Sequence, residues 1–267
     1  MRITKAACAV LAAIIGAALP SLAAAREELE IVGTGDGIEM LKALGAAYNK
    51  TTTSVEVVIP PSIGSGGGIA AVGAGKATLG RVARPLTEAE AARGIIYTPI
   101  ARLPSAIFVH PSAGVKALSS GELAGIYAGR ITNWKELGGA DLRIRVVRRE
   151  DSDSTLSVLR ATMPGWKDLA ITERSKTATS TQEAVETVRL VEGTIGFGPF
   201  TRALEQGTTV VRIDGHHPTD AGYPSSAVLA LIHTEATVTP GAKAFLAFLR
   251  TPAAQDIIKG FGGVPVR

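Results

Sequence analysis

Short apolar runs alternate along this chain with segments whose apolar residues recur every three or four positions. "LEIVG" (29–33) reads as a strand, and "GIEMLKALGAAYNK" comes after it with Ile38, Leu41, Leu44 and Tyr48 on one helical side. "SVEVVIP" is a second strand, "GGIAAVGAGKA" a helix that begins in glycines, and "TLGRVA" a short third strand. "ARLPSAIFVHP" is a strand ended by Pro111. This βαβαβ traffic is the mark of an open α/β sheet with helices on its faces. The middle of the chain repeats the theme. "LRIRVVRRE" and "TIGFGPF" read as strands, and "STLSVLRATMPGW" as a helix ended near Pro164. "TSTQEAVETVRLVEG" is a helix with a capping box from Ser180 to Glu183, closed by Gly193. "YPSSAVLALIHT" returns as a long apolar strand, and two C-terminal helices break at Pro252. Two α/β lobes fit this order better than one.

The first 25 of the 267 residues read differently. Arg2 and Lys5 precede an apolar stretch (6–19), then Pro20 and small residues, the pattern of a secretory signal peptide with cleavage after Ala23 or Ala25. The apolar run is short for a bilayer span. The single cysteine, Cys8, lies inside this leader, so the exported protein is expected to carry no disulfide, thiol nucleophile or thiolate metal site. Net charge is only +4 and aromatic content is 4%, which disfavours nucleic acid as a partner.

Three strand-to-helix junctions share one chemistry: "GTGDG" (33–37), "SIGSGGG" (62–68) and "RREDSDST" (148–155). A helix start offers unpaired N–H groups and the positive end of a dipole, which suit an anion. Glycines admit close backbone approach. The hydroxyls of Thr34, Ser65, Ser154 and Thr155 can donate, and Arg149 or its neighbour Arg148 can add a bidentate grip. Plain structural roles remain open for each. Asp36 with Glu39 makes a sound N-cap box, Ser65 can cap its helix, and Arg84 before Pro85 suits a solvated turn.

Enzyme motifs are weak by comparison. His216 and His217 in "DGHHPTD" fit a polar surface turn better than a metal site, because adjacent side chains on an extended turn point apart. His110 ends an apolar strand and reads as structural, and Trp134 and Trp166 read as packing. The chain has no G-x-S-x-G elbow, H-E-x-x-H pair or P-loop lysine. No cofactor and no metal are expected.

At the junctions the chain resembles the phosphate-binding periplasmic subunits of bacterial phosphate ABC transporters, within the type II solute-binding protein superfamily. "PSIGSGGGIAAVGAGKATLGRVARPLTEAE" is similar to that family's second binding loop with its helix and the next turn. "RITNWKELGG" resembles its I-x-x-W-x-x-L segment, and "GTIGFGPF" its G-x-I-G-Y strand. "YPSSAVLALI" resembles the strand returning to the first lobe, and "FLAFLRTPAAQDIIKGFGGVPV" the C-terminal helices and tail.

The resemblance implies an α/β Venus-flytrap with two open sheets and a two-segment hinge. Lobe 1 would hold residues 26–110 and 225–267, and lobe 2 residues 111–224. It implies a monomer that binds inorganic phosphate in the periplasm and delivers it to an ABC permease. The family's binding positions map onto Gly35 and Asp36, Ser65 with Gly66, Arg84, and Arg149 with Asp153, Ser154 and Thr155. Two departures stand out. Relatives read Ser-Gly-Thr where this chain has Asp153-Ser154-Thr155, and well-known phosphate binders carry an Asp in the turn that here reads Val82-Ala83-Arg84. Asp36 or Asp153 is expected to take over the role of accepting a proton from the ligand, which protonated phosphate can supply and sulfate cannot. The alternatives are a receptor for another oxyanion or organic anion that feeds a sensor, and a secreted phosphatase-like enzyme on the same fold. The enzyme would need a general base, and no histidine falls in a junction.

Overall fold

The structure, a computed structural model, describes residues 26–151 and 153–266. The leader expected at 1–25 lies outside the described residues. The chain runs β1 (Glu27–Gly33), α1 (Ile38–Asn49), β2 (Val55–Val58), α2 (Gly64–Gly73), β3 (Leu79–Val82), α3 (Glu88–Ala91) and β4 (Ile95–Val109). It continues through β5 (Ala117–Leu118), α4 (Ser120–Tyr127), β6 (Arg145–Arg149), α5 (Ser154–Thr162), β7 (Lys176–Ala178), α6 (Thr181–Leu190) and β8 (Thr194–Pro199). It ends with β9 (Thr209–Val210), β10 (Arg212–Ile213), β11 (Ser226–Thr234), α7 (Pro240–Phe248), α8 (Pro252–Gly260) and β12 (Val264–Pro265).

The strands lie in the order β2-β1-β3-β11-β4-β8-β6-β7. β1 pairs parallel with β2 and β3, and β6 pairs parallel with β7 and β8. These are the two α/β units expected from the alternating periods. β4 joins them. Its residues 95–104 pair antiparallel with β11, and from Ser105 to Val109 it pairs with β8 instead. The return crossing lies beside it, where Ser105 N donates to Ser225 O at 3.0 Å. Ser225 is fully buried and its hydroxyl accepts from Thr162 Oγ1 at 2.9 Å, which ties the end of α5 to this crossing.

Each lobe has its own core. In lobe 1, Leu29 and Ile31 of β1 pack with Leu41 and Leu44 of α1, Phe245 of α7 and Ile258 of α8. α2 covers the same sheet through Ile69 and Val72, packed with Val82 and Ile232. In lobe 2, Trp134 and Trp166 are fully buried, and Trp166 packs near Tyr127 (4.8 Å between ring centres) and Phe197 (5.9 Å). Both tryptophans are therefore core residues. Alternation places apolar side chains on faces that must leave water, and burial of each large one contributes about 1.5–3 kcal/mol.

Local signals work with some corrections. Ser180 accepts from Glu183 N as the capping box requires, but the Glu183 carboxylate reaches Thr179 N (2.8 Å) rather than the cap residue's own N–H. Thr251 caps α8 with Pro252 at its first position. His110 accepts from Ser112 N and starts a 3₁₀ turn. His217 meets Thr219 Oγ1 (2.8 Å) within its own turn, and its ring also lies edge-on to Phe200 and 3.5 Å from Glu205 Oε1, contacts from outside that turn. Among the described residues no group of three His, Cys, Asp or Glu side chains is placed to hold a metal, and no helix is long and apolar enough to cross a membrane.

Candidate anion-binding cleft

The three junctions sit at the C-terminal ends of parallel strands, where open α/β sheets carry their ligands. In lobe 1, β1 ends at Gly33 with φ 137°, and a Cβ there would collide with the Arg81 carbonyl. Gly68 of α2 approaches this same turn so closely that a Cβ would lie 2.9 Å from Gly33 Cα. These two glycines let the start of α2 lie against the end of β1, backbone on backbone. Ile63 N donates to Gly33 O at 2.9 Å and Ser62 Oγ to the same carbonyl at 3.2 Å, which locks the first junction to the second.

Asp36 is not the cap of α1. That position belongs to Gly37, in the left-handed conformation (φ 68°), and no side chain caps the helix. The Asp36 carboxylate instead accepts from Thr34 Oγ1 at 2.9 Å, and Asp36 N donates back to the same hydroxyl at 3.2 Å. Ser65 is not a cap either. It lies inside α2, whose N-cap is Ile63, and its hydroxyl accepts from Ala83 N at 3.1 Å. That bond pins the turn after β3 to the start of α2. Gly66 faces open space, with nothing within 4 Å of a Cβ placed there.

Arg84 is engaged within its own turn. Its guanidinium forms a two-pronged pair with Glu90 at 2.8 Å on both arms and donates to Pro85 O. Glu90 also closes the capping box of α3 by accepting from Thr87 N. The hydrogen bonds from Arg84 and then from Thr87 hold the Glu90 carboxyl down to about 2.

In lobe 2, β6 delivers Arg149 and α5 comes next. Arg149 is nearly buried, and all its reach is inward: Nε to Ala178 O (3.1 Å), Nη1 to Thr181 Oγ1 (2.8 Å) and Nη2 to Asp153 Oδ2 (2.9 Å). Asp153 also caps α5, accepting from Leu156 N at 2.9 Å. Arg148 is engaged with Asp151. The arginines of this junction are thus each met by a carboxylate, and what α5 presents forward is its first turn, Ser154 and Thr155.

The lobes meet around a cavity of about 180 Å³. Gly35, Asp36 and Gly37 line it from lobe 1, and Ser154, Thr155 and Val158 from α5. Its floor is the crossing region: Leu103, Pro104, Ser105, Pro199 and Ala227. Of the positions singled out from sequence, Gly35, Asp36, Ser154 and Thr155 come together here. Ser65 and Gly66 stand on the adjoining α2 start, Arg149 and Asp153 support α5 from behind, and Arg84 belongs to its own turn. Larger hollows of about 580, 650 and 520 Å³ lie on lobe 2 and touch none of the junctions' cavity-lining residues.

One residue escaped the sequence reading. Arg81 of β3 is fully buried and reaches the carbonyl oxygens of Thr34 (2.6 Å), Pro60 (2.8 Å), Pro61 (3.3 Å) and Ile31. Burial pulls its guanidinium below the ordinary arginine range. The available signal was a lone charge inside the short strand "TLGRVA", every residue of which from Leu79 to Val82 is buried.

Comparison with known proteins agrees with this geometry. Residues 20–252 match the family model for the PBP superfamily domain. The phosphate-binding protein PstS of Bacillus subtilis is 33% identical over 214 residues, covering 76% of this chain and 69% of that protein. An ABC-type phosphate transport receptor from Vibrio cholerae superposes with a TM-score of 0.74 at 26% identity, over 89% of this chain and 99% of the receptor. A substrate-binding protein from Clostridium perfringens with bound phosphate gives a TM-score of 0.72 at 28% identity, over 90% of this chain and all of that one. With its two α/β units, its paired crossings and helix starts that meet between the lobes, the chain belongs to the PBP superfamily, among the PstS-type phosphate-binding proteins.

Proposed function

We propose that this protein captures inorganic phosphate in the periplasm and hands it to an ABC permease, as a monomer and without making or breaking a bond. The observation that carries this reading is the cavity shared by the first turn of α5 and the Gly35-Asp36 turn before α1, which faces two helix starts from different lobes across one small space. Ser154 and Thr155 supply hydroxyl and backbone donors there, and the helix dipoles add partial positive charge. Lobe closure about the β4 and Ser225 crossings would exclude water and strengthen each hydrogen bond. Arg149 acts as the support of α5, and its charge is largely answered by Asp153.

Among the described residues Asp36 is the one carboxylate lining this cavity. Thr34 donates to one of its oxygens, which leaves the other free to accept a hydrogen bond from a protonated ligand oxygen. A carboxylate beside a fully ionised anion repels it, whereas one that accepts a hydrogen bond from a protonated oxyanion holds it. This favours phosphate over sulfate. No histidine is among the described residues that line the cavity, so a hydroxyl nucleophile there would have no imidazole base beside it.

Calorimetric titration of the ligand-stripped protein with phosphate, sulfate, molybdate and a phosphate ester tests the reading. One-to-one binding of phosphate in preference to sulfate is expected, and Asp36→Asn should narrow that preference by about tenfold or more. Preference for the ester or for another oxyanion would replace phosphate as the ligand. An unchanged preference in Asp36→Asn would remove Asp36 from the selective role.

A further inference from the structure

Arg81 is an expensive residue for its position. Taking a guanidinium out of water is costly unless every donor is met, and a neutral side chain could fill the same space. The chain keeps the charge and meets each guanidinium nitrogen with carbonyl oxygens, four hydrogen bonds for its five N–H groups. Ile31 and Thr34 belong to the end of β1 and its junction, and Pro60 and Pro61 to the approach to α2. Among the described residues no carboxylate lies within 4.0 Å of it, whereas Arg84, Arg148 and Arg149 each pair with one. Carbonyl dipoles orient the guanidinium and leave its net charge in place.

We propose that Arg81 is a positioning residue of lobe 1: its guanidinium clamps the Thr34 and Pro60–Pro61 segments at one spacing, and its uncancelled positive charge makes the cleft attractive to a small anion. The inference rests on the anion-capture reading above and deepens it. The geometry joins the two parts. Thr34 O accepts from Arg81 Nε, and Thr34 Oγ1 holds Asp36, so the arginine sets the position of the carboxylate that lines the cavity. The Arg81 carbonyl in turn accepts from Thr34 N at 3.0 Å, which closes a ring of bonds between β3 and the first junction. In a medium of low dielectric an unpaired charge acts over longer distances than one beside its counter-ion.

Two substitutions separate charge from clamp. Arg81→Lys keeps the charge and cannot span four carbonyls, whereas Arg81→Met loses both. Two readouts are needed: phosphate titration, and amide hydrogen exchange across 31–36 and 60–66. Arg81→Met is expected to weaken phosphate binding by about tenfold or more and to speed exchange in both segments. Arg81→Lys should recover most of the affinity lost in Arg81→Met while both segments still exchange faster than in the parent. Parental affinity in Arg81→Met would overturn the charge role, and parental exchange in both variants would overturn the clamp. Circular dichroism confirms that each variant is folded. If the parent protein binds no phosphate, the functional reading fails, and the charge role fails with it. The exchange arm still decides the clamp.

Discussion

Asp153 joins two tasks in one side chain: one carboxylate oxygen caps α5 and the other meets Arg149. Both groups are nearly buried, so removal of the acid leaves a cation without its partner and a helix start without its cap. Breaking a buried pair from one side costs about 3 kcal/mol or more. Asp153→Ala is therefore expected to lower the melting temperature by about 9 °C, measured by calorimetry. Asp153→Asn keeps the capping oxygen and should recover about 1 kcal/mol of that loss. Sequence showed Asp153 as an acid among candidate ligand groups. It could not show that Arg149 reaches back to it, because the contact depends on the turn between β6 and α5.

At the scale of elements, α2 is held less by its own composition than by what it touches. Glycine-rich helices are weak in isolation, since each glycine is destabilising by about 1 kcal/mol relative to alanine. Here Gly68 is needed for the close approach to Gly33, and Ser65 ties the helix to the turn after β3. Ser65→Ala removes the acceptor of Ala83 N and should destabilise the protein by about 1–2 kcal/mol. Exchange of the Ala83 amide is expected to speed up while the β1–β3 ladder stays protected. Unchanged exchange at Ala83 would show that the bond contributes nothing to the turn. The glycine run was legible as a helix start, but which glycine served packing and which faced open space required the neighbouring strand.

Across the whole molecule, β11 carries lobe 1 to its closing pair with β4, and His233 is buried on that strand. Its Nδ1 has no hydrogen-bond partner among the described residues. Burial, the largest influence, pulls its pKa below the ordinary 6.5, with Lys243 adding to this and Glu235 opposing it. The unfolded chain then takes up the proton more readily than the folded one. Stability from this group is fully present above pH 6.5 and is lost as pH falls through the depressed folded value. Thermal unfolding of the parent protein should therefore occur at lower temperature on acidification from about pH 8 to about pH 5, and His233→Leu should flatten that decline. Identical pH profiles in the two proteins would show that His233 does not titrate on unfolding in this range.

The order of residues was enough to establish the class of the molecule, its two α/β units and the three places where helix starts succeed strands. Periodicity, proline stops and glycine turns are local properties, and a side chain's preference for water or for its own backbone acts within a few residues. The grouping of Gly35 and Asp36 with Ser154 and Thr155 belongs to the tertiary structure, because β4 must carry the chain from one α/β unit to the other before those turns can face each other. So does the division among the arginines. Arg84, Arg149 and Arg81 look alike as letters in a row, yet one is paired in its own turn, one is answered by a carboxylate behind α5, and one keeps its charge among carbonyls. Charge acts through space, and only the fold decides which charges are neighbours.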